Sequence, residues 1–325
     1  MTDNNLILSI KGLKTEFRLK DGRVLRAIDG IDLDIKPGEI HGLVGESGCG
    51  KTVASLSILR LITRPGYISG GEVLWNGHDL LKLSDQDMRK IRGKEIAMVF
   101  QNPQGALNPL YSIGDQMMAI VRLHRTMSKK DAENEAIRLF RIVKLPDPEK
   151  RINDYPHQLS GGMCQRVMIA MALSCQPKLL IADEPTAALD VTIQAQIMDL
   201  LLEIREQFQM AMLLISHDMG VVARMCDRIS VMYLGKIVEE SEAKTLYSSP
   251  KHPYTQALLE AVPIPDPTKK SDFSLLKGDL PGSVDIPSGC RFRTRCPEAF
   301  DQCIEEPVFK SVGENGSRVA CWLYN

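Results

Sequence analysis

Ile40-His41-Gly42-Leu43-Val44-Gly45-Glu46-Ser47-Gly48-Cys49-Gly50-Lys51-Thr52 is the stretch on which the fold turns. Residues 40–44 form an apolar run of strand length, and the next eight fit the pattern G-x-x-x-x-G-K-[ST]. Val53, Leu56, Ile58 and Leu59 then recur at helical spacing, so a helix over 52–61 is expected. Strand, glycine loop and helix in that order make a phosphate cradle. Glycines at 45, 48 and 50 let the backbone curl until the N–H groups of Gly45 through Thr52 point at one anion, and the helix N-terminus adds its dipole. Lys51 would reach the β- and γ-phosphates, and the Thr52 hydroxyl would ligate Mg²⁺. Cys49 occupies a variable position of the loop, which argues against a catalytic thiol.

Working outward, residues 179–182 and 212–215 are short continuous apolar runs of the kind that become buried parallel strands. Between them Ile193, Ile197, Leu200, Leu201 and Ile204 mark one helix face. Upstream, 6–10, 24–28 and 31–35 read as strands, with Lys36-Pro37-Gly38 as a turn; 229–233 and 237–239 read as a hairpin about Gly235. Residues 103–175 look mainly helical. The class is therefore α/β. No internal repeat is visible, and no apolar run reaches the ~18 residues needed to span a bilayer. The first ten residues lack a basic stretch before an apolar one, so no signal peptide is expected. With a net charge of −1, no overall basic field points to nucleic acid or an anionic surface.

Asp183-Glu184 closes the apolar run at 179–182. Beside a phosphate loop such a pair has a ready chemistry: Asp183 holds Mg²⁺, mostly through water, and Glu184 orients or deprotonates the attacking water. Shortly before it stands Leu159-Ser160-Gly161-Gly162-Met163-Cys164-Gln165-Arg166. Ser160 can N-cap the helix that follows, and the glycines bare its N–H groups to a second anion. One chain would then offer two phosphate-binding helix ends, which implies a head-to-tail dimer with ATP between partners.

The order phosphate loop, Gln101, Ser160-Gly161-Gly162-Met163, acid pair, Ala188-Leu189-Asp190 and His217 resembles that of ABC ATPases over roughly residues 6–260. The resemblance implies a P-loop ABC ATPase core with an antiparallel β subdomain and a helical subdomain at about 103–175. It implies ATP and Mg²⁺ as ligands. Gln101 would sense Mg²⁺ and γ-phosphate, Asp190 would couple the two sites, and His217 would contact the γ-phosphate. Met163 stands where the commonest family motif has Gln. Phe17 is the candidate for stacking on adenine, although a strand-core role serves it equally.

Two C-terminal features narrow the family. His252-Pro253-Tyr254, opening a helix, resembles an element of oligopeptide and dipeptide permease ATPases, and Gly289-Cys290-Arg291-Phe292-Arg293-Thr294-Arg295-Cys296-Pro297 with Cys303 and Cys321 resembles the same family's cysteine segment, closest to that of the D-type subunit. Such subunits pair with an F-type ATPase beneath two membrane permeases fed by an extracytoplasmic peptide-binding protein, and so would sit peripherally on the cytoplasmic face of the membrane. Peptide import is the leading function. Nickel or oligosaccharide import is the alternative within the subfamily. Outside it stand a sulfur-cluster assembly ATPase and an ABC ATPase acting on nucleic acid, with Arg291, Arg293 and Arg295 as phosphate contacts.

The domain reading is a nucleotide-binding domain over 1–262 and a C-terminal segment over 263–325, joined by a linker rich in proline at 263, 265 and 267. Four of eight cysteines, Cys290, Cys296, Cys303 and Cys321, crowd the last 36 residues. In a reduced compartment that favours metal over disulfide. The spacings of five, six and seventeen intervening residues lack the paired C-x₂-C of structural zinc sites, and Cys296-Pro297 is a step found in iron–sulfur proteins. A [4Fe–4S] cluster is expected, with zinc as the alternative; Arg291, Arg293 and Arg295 would offset the thiolate charge.

Overall fold

The computed structural model describes residues 5–187, 189–261, 281–282, 284, 286–313 and 316–324. The proline-rich linker and Ala188 lie outside them. The chain forms two units, one from Met1–Lys82 with Leu214–Asn325, the other from Leu83–Leu213.

The first unit contains an antiparallel sheet. Strand β1 (Leu8–Arg18) lies between β2 (Val24–Ile35) and β4 (Gly66–Trp75), with β5 (His78–Asp79) outside β4. Leu8, Ile10 and Leu13 of β1 and Ile28, Ile31, Leu33 and Ile35 of β2 are at most 1% exposed, which is the buried face the alternating pattern demands. The sequence suggests two strands separated at Gly30. Instead Gly30 sits at φ +79° inside one strand, where the β1–β2 register shifts between Leu13↔Ile31 and Lys14↔Asp29. A glycine read as a break is here a bulge, which twists a strand without ending it.

A second sheet in this unit carries the phosphate loop. Strand β3 (Ile40–Val44), buried at all five positions, runs into the loop and then into α1 (Lys51–Ile58). It pairs in parallel with β9 (Arg228–Tyr233), which follows α9 (Met219–Met225) and hairpins back as β10 (Lys236–Glu242). Helices α10 (Ala243–Ser248) and α11 (Pro253–Glu260) come next. The cysteine segment is not a loose tail: β12 (Ser317–Val319) pairs with β10 and with β11 (Lys310–Val312). A buried charge network ties that edge together. Glu240 accepts from Arg228 at 2.7 Å, Arg318 at 2.8 Å and Ser230 at 3.0 Å.

The second unit is largely helical around a parallel pair. After α2 (Asp85–Ile91) comes β6 (Ile96–Val99), which pairs with β7 (Leu179–Asp183). Between them lie α3 (Pro103–Ala106), α4 (Ile113–His124), α5 (Lys129–Ile142), α6 (Pro148–Arg151) and α7 (Gly161–Leu173). Ser112 and Ser128 start α4 and α5 by accepting from the N–H of Asp115 and Asp131, and each Asp carboxylate accepts the serine hydroxyl in return. Met117 and Val121 of α4 and Ala132, Ala136, Leu139 and Phe140 of α5 are all but fully buried where the two helices pack. Helix α8 (Val191–Phe208) follows β7, and β8 (Ala211–Ser216) carries the chain back to the first unit. Among the described residues no helix is long and apolar enough to cross a membrane.

Candidate functional site

The phosphate loop has the backbone its glycines predict. Gly45, Gly48 and Gly50 have φ of +154°, +84° and +114°. A Cβ at Gly45 would stand 2.2 Å from the Met232 carbonyl oxygen, and one at Gly50 would stand 2.5 Å from that of Ala27. These two positions exclude side chains on both conformation and space. Gly50 is the N-cap of α1 and has no side chain with which to cap the first N–H groups of the helix. Lys51 Nζ folds over the loop, donating to the carbonyls of Gly45 at 2.7 Å and Glu46 at 3.0 Å. Cys49 is buried, and burial raises its thiol above the ordinary range, which removes it as a nucleophile.

In the second unit β7 delivers Asp183, 2% exposed, at its last residue. Glu184 follows at φ +45°, a left-handed conformation that costs a non-glycine residue about 1–3 kcal/mol. Gln101 lies just beyond β6, and its Nε2 donates to Glu184 Oε2 at 2.7 Å. The fold thus joins two residues that the sequence could relate only by resemblance.

Ser160 N-caps α7, its hydroxyl accepting from Met163 N–H at 3.3 Å. Gly161 and Gly162 form the first turn, and a Cβ at Gly162 would meet Ile193 Cγ2 at 2.8 Å. Ile193 belongs to the first turn of α8, which Asp190 caps by accepting the Ile193 N–H at 2.9 Å. Arg166 pins this end down by donating to the Val143 carbonyl and to Gln196. The helix starts at Ser160 and Asp190 are therefore built as neighbours, and Gly162 is needed for packing as well as for any anion.

His217, exposed, follows β8. Phe17 lies half-buried in β1 opposite Gly66 of β4, where a Cβ would stand 2.5 Å from its ring. There the ring packs against the β4 backbone.

The C-terminal cysteines converge. Cys290, Cys296, Cys303 and Cys321 line one small apolar hollow together with His252, Phe292 and Trp322. Burial first, then mutual proximity, pushes the Cys296 thiol up to about 11, so a thiolate here requires a cation to offset it. His252 Nδ1 accepts the Tyr254 N–H at 3.0 Å while its buried Nε2 has no partner. Four soft donors on one hollow suit a thiolate-held metal group in kind. As placed, however, no group of three or more His, Cys, Asp or Glu among the described residues lies close enough to hold a metal ion.

The arginines correct an expectation. Arg291 donates to Asp29 and to the Leu234 carbonyl, and Arg295 makes a two-pronged pair with Glu46 of the phosphate loop, at 2.7 and 3.0 Å. Both are spent on carboxylates rather than on thiolates, and with side chains 10% and 5% exposed they do not form a basic face. Arg293 bonds Ser288, and its charge opposes the rise that burial imposes on the Cys290 thiol. Sequence reading missed the Arg295–Glu46 pair, since no local pattern announces a contact between residues 249 apart.

The chain matches two family profiles: ABC transporter over residues 28–187, and oligopeptide/dipeptide transporter, C-terminal region, over residues 238–303. It is 46% identical over 309 residues to the dipeptide transport ATP-binding protein DppD of Escherichia coli strain K12, covering 95% of this chain and 94% of that one. It is 44% identical over 319 residues to the oligopeptide transport ATP-binding protein AppD of Bacillus subtilis strain 168, covering 98% and 97%. Among solved structures it resembles the ATP-binding cassette MJ0796, a dimer bound to ADP and phosphate, with a TM-score of 0.66, 28% identity and coverage of 73% of this chain and 98% of that one. It also resembles cbiO1 of Clostridium perfringens, at a TM-score of 0.63, 26% identity and coverage of 75% and 92%. The chain belongs to the ABC transporter ATP-binding proteins, in the oligopeptide/dipeptide branch, and has their mixed α/β ATPase fold.

Proposed function

We propose that this ATPase powers import of dipeptides or oligopeptides through a membrane permease. The peptide cargo is supported most by the match of residues 238–303 to the oligopeptide/dipeptide transporter C-terminal region, and the Gln101–Glu184 hydrogen bond beside buried Asp183 is compatible with Glu184 as the hydrolytic carboxylate. We assign residues 1–262 to the nucleotide-binding domain, with a helical subdomain at about 103–175, and 263–325 to the C-terminal segment.

In this reading the loop of Gly45 to Thr52 wraps the phosphates of ATP and the Lys51 ammonium holds them, with the Glu46 N–H committed to Tyr254 and that of Cys49 to the Glu46 carbonyl. Phe17 is the adenine-stacking candidate. Thr52, Asp183 and Gln101 would hold Mg²⁺, which when bound draws charge from the β- and γ-phosphate oxygens. Glu184 orients the attacking water and accepts its proton, and His217 contacts the γ-phosphate. Ser160, Gly161, Gly162 and Met163 complete the partner's site, and Asp190 couples the two. The partner is a related F-type ATPase. Together they sit at the cytoplasmic face beneath two integral membrane subunits, with an extracytoplasmic peptide-binding protein delivering cargo.

Cys290, Cys296, Cys303 and Cys321 would hold a [4Fe–4S] cluster whose chemistry here is structural cross-linking of a segment too short for its own core. Anaerobically purified protein should be brown with about four irons per chain; colourless protein with one zinc per chain contradicts the cluster. The ATPase assignment is tested separately. In the assembled complex Glu184→Gln should bind ATP normally and accumulate the closed dimer, and wild-type turnover in that variant rejects the role of Glu184.

A further inference from the structure

Glu46 places a carboxylate on the rim of the phosphate loop, where a nucleotide would add three or four more negative charges. Left alone, it would repel them, and more strongly than in open water because the loop is partly buried. The fold answers from the far end of the chain. Arg295 Nη1 and Nη2 grip both Glu46 oxygens, at 2.7 and 3.0 Å, with the arginine side chain only 5% exposed. Nη1 also reaches Tyr233 Oη at 3.4 Å. The Glu46 N–H is taken as well, since it donates to Tyr254 Oη at 2.9 Å. Backbone and side chain of this loop residue are thus both held by groups outside the loop.

Those groups form one block with the cysteine segment. Tyr233, Tyr254 and Phe292 are at most 1% exposed and meet edge to face or tilted, with centroids 4.7–5.3 Å apart. Phe292 lines the cysteine hollow with Cys290 and Cys296, and Arg295 immediately precedes Cys296.

We propose that Arg295 is a positioning residue for nucleotide binding: it neutralises and orients Glu46, and makes the cysteine segment a clamp on the phosphate loop. The inference rests on the reading that Gly45–Thr52 binds the phosphates. A planar guanidinium suits the task because its fork fixes both carboxylate oxygens at once, which an ammonium cannot do.

The test is ATP affinity of the full chain, measured by fluorescent-nucleotide titration, with KM and kcat of the assembled complex alongside. Arg295→Ala should weaken ATP binding about ten-fold and raise KM while leaving kcat nearly unchanged. Arg295→Lys should lose about three-fold. The deciding variant is the double substitution. With Glu46→Gln the repelling charge is gone, so Arg295→Ala in that background should recover most of the lost affinity. A merely structural arginine would give no such rescue, even if Arg295→Ala proved poorly folded. Unchanged affinity in Arg295→Ala, or no recovery in the double variant, overturns the proposal. Lys51→Ala separates the two layers: if it too leaves ATP binding intact, the phosphate-loop reading has failed rather than the clamp.

Discussion

Two helices in this chain begin with glycine-rich turns, and they begin differently. At α1 the N-cap is Gly50, at φ +114°, with no side chain to accept a hydrogen bond. At α7 the N-cap is Ser160, whose hydroxyl already accepts the Met163 N–H. The first end has no capping side chain of its own, and Lys51 beside it supplies charge for an anion. The second end has one of its N–H groups answered by its own cap. In the proposed reading α1 binds this subunit's own nucleotide, whereas α7 offers a side-chain-capped helix end to a partner's. A head-to-tail pair of ATPases needs that division of labour.

Substitutions can break or sharpen the contrast. The largest effect should come from Gly50→Ala, which meets both a disallowed φ and the Ala27 carbonyl; it should destabilise the chain by about 3 kcal/mol in a denaturant titration. A loss below about 1 kcal/mol would mean the loop can relax and Gly50 is not required. Lys51→Ala comes next. Removing a charge-assisted contact to phosphate should cost about 2 kcal/mol, roughly thirty-fold in ATP affinity, with the fold intact. Ser160→Ala should cost about 1 kcal/mol of stability through the lost cap, leave the isolated chain's ATP affinity unchanged, and slow hydrolysis in the assembled complex. If it instead weakens ATP binding by the isolated chain as Lys51→Ala does, the two ends are not distinct.

A smaller effect concerns the edge where the cysteine segment joins the sheet. Burial pushes the Glu240 carboxyl up, but His41, Arg228 and Arg318 outweigh it and hold the group below its ordinary value of 4.5. Its contribution to stability is then present above pH 4.5 and is lost as pH falls through the lower folded value. Glu240→Gln should flatten the acid limb of a stability–pH curve below that point; an unchanged limb would show the network contributes nothing.

The comparison also explains what could be read from the sequence. Residues 40–61 were legible because a phosphate loop is built from consecutive residues and backbone groups, so its chemistry and its spelling coincide. Asp183 and Ser160 were legible as ends of elements, and Asp190 only by resemblance. Strand β4 was not: Gly66, Gly70 and Gly71 hide its pattern, and Gly71, at φ +91°, sits where a Cβ would stand 2.5 Å from the Gly12 carbonyl. There glycine permits close approach of two strands, which resembles a loop signal in a single sequence. The left-handed turn at Glu184 and the clamp of Arg295 on Glu46 are products of tertiary structure, and no spacing rule encodes them. The four cysteines were visible as a cluster, but their shared hollow belongs to a segment that is tied to the sheet by β12 pairing with β10.

The most direct test of the account is peptide uptake by proteoliposomes carrying the complete transporter. The wild-type complex should accumulate a dipeptide or short oligopeptide only with ATP and Mg²⁺, and Glu184→Gln should bind the same ATP yet reduce uptake at least a hundred-fold. Uptake that persists in Glu184→Gln, or a complex that moves nickel or an oligosaccharide and no peptide, would contradict it.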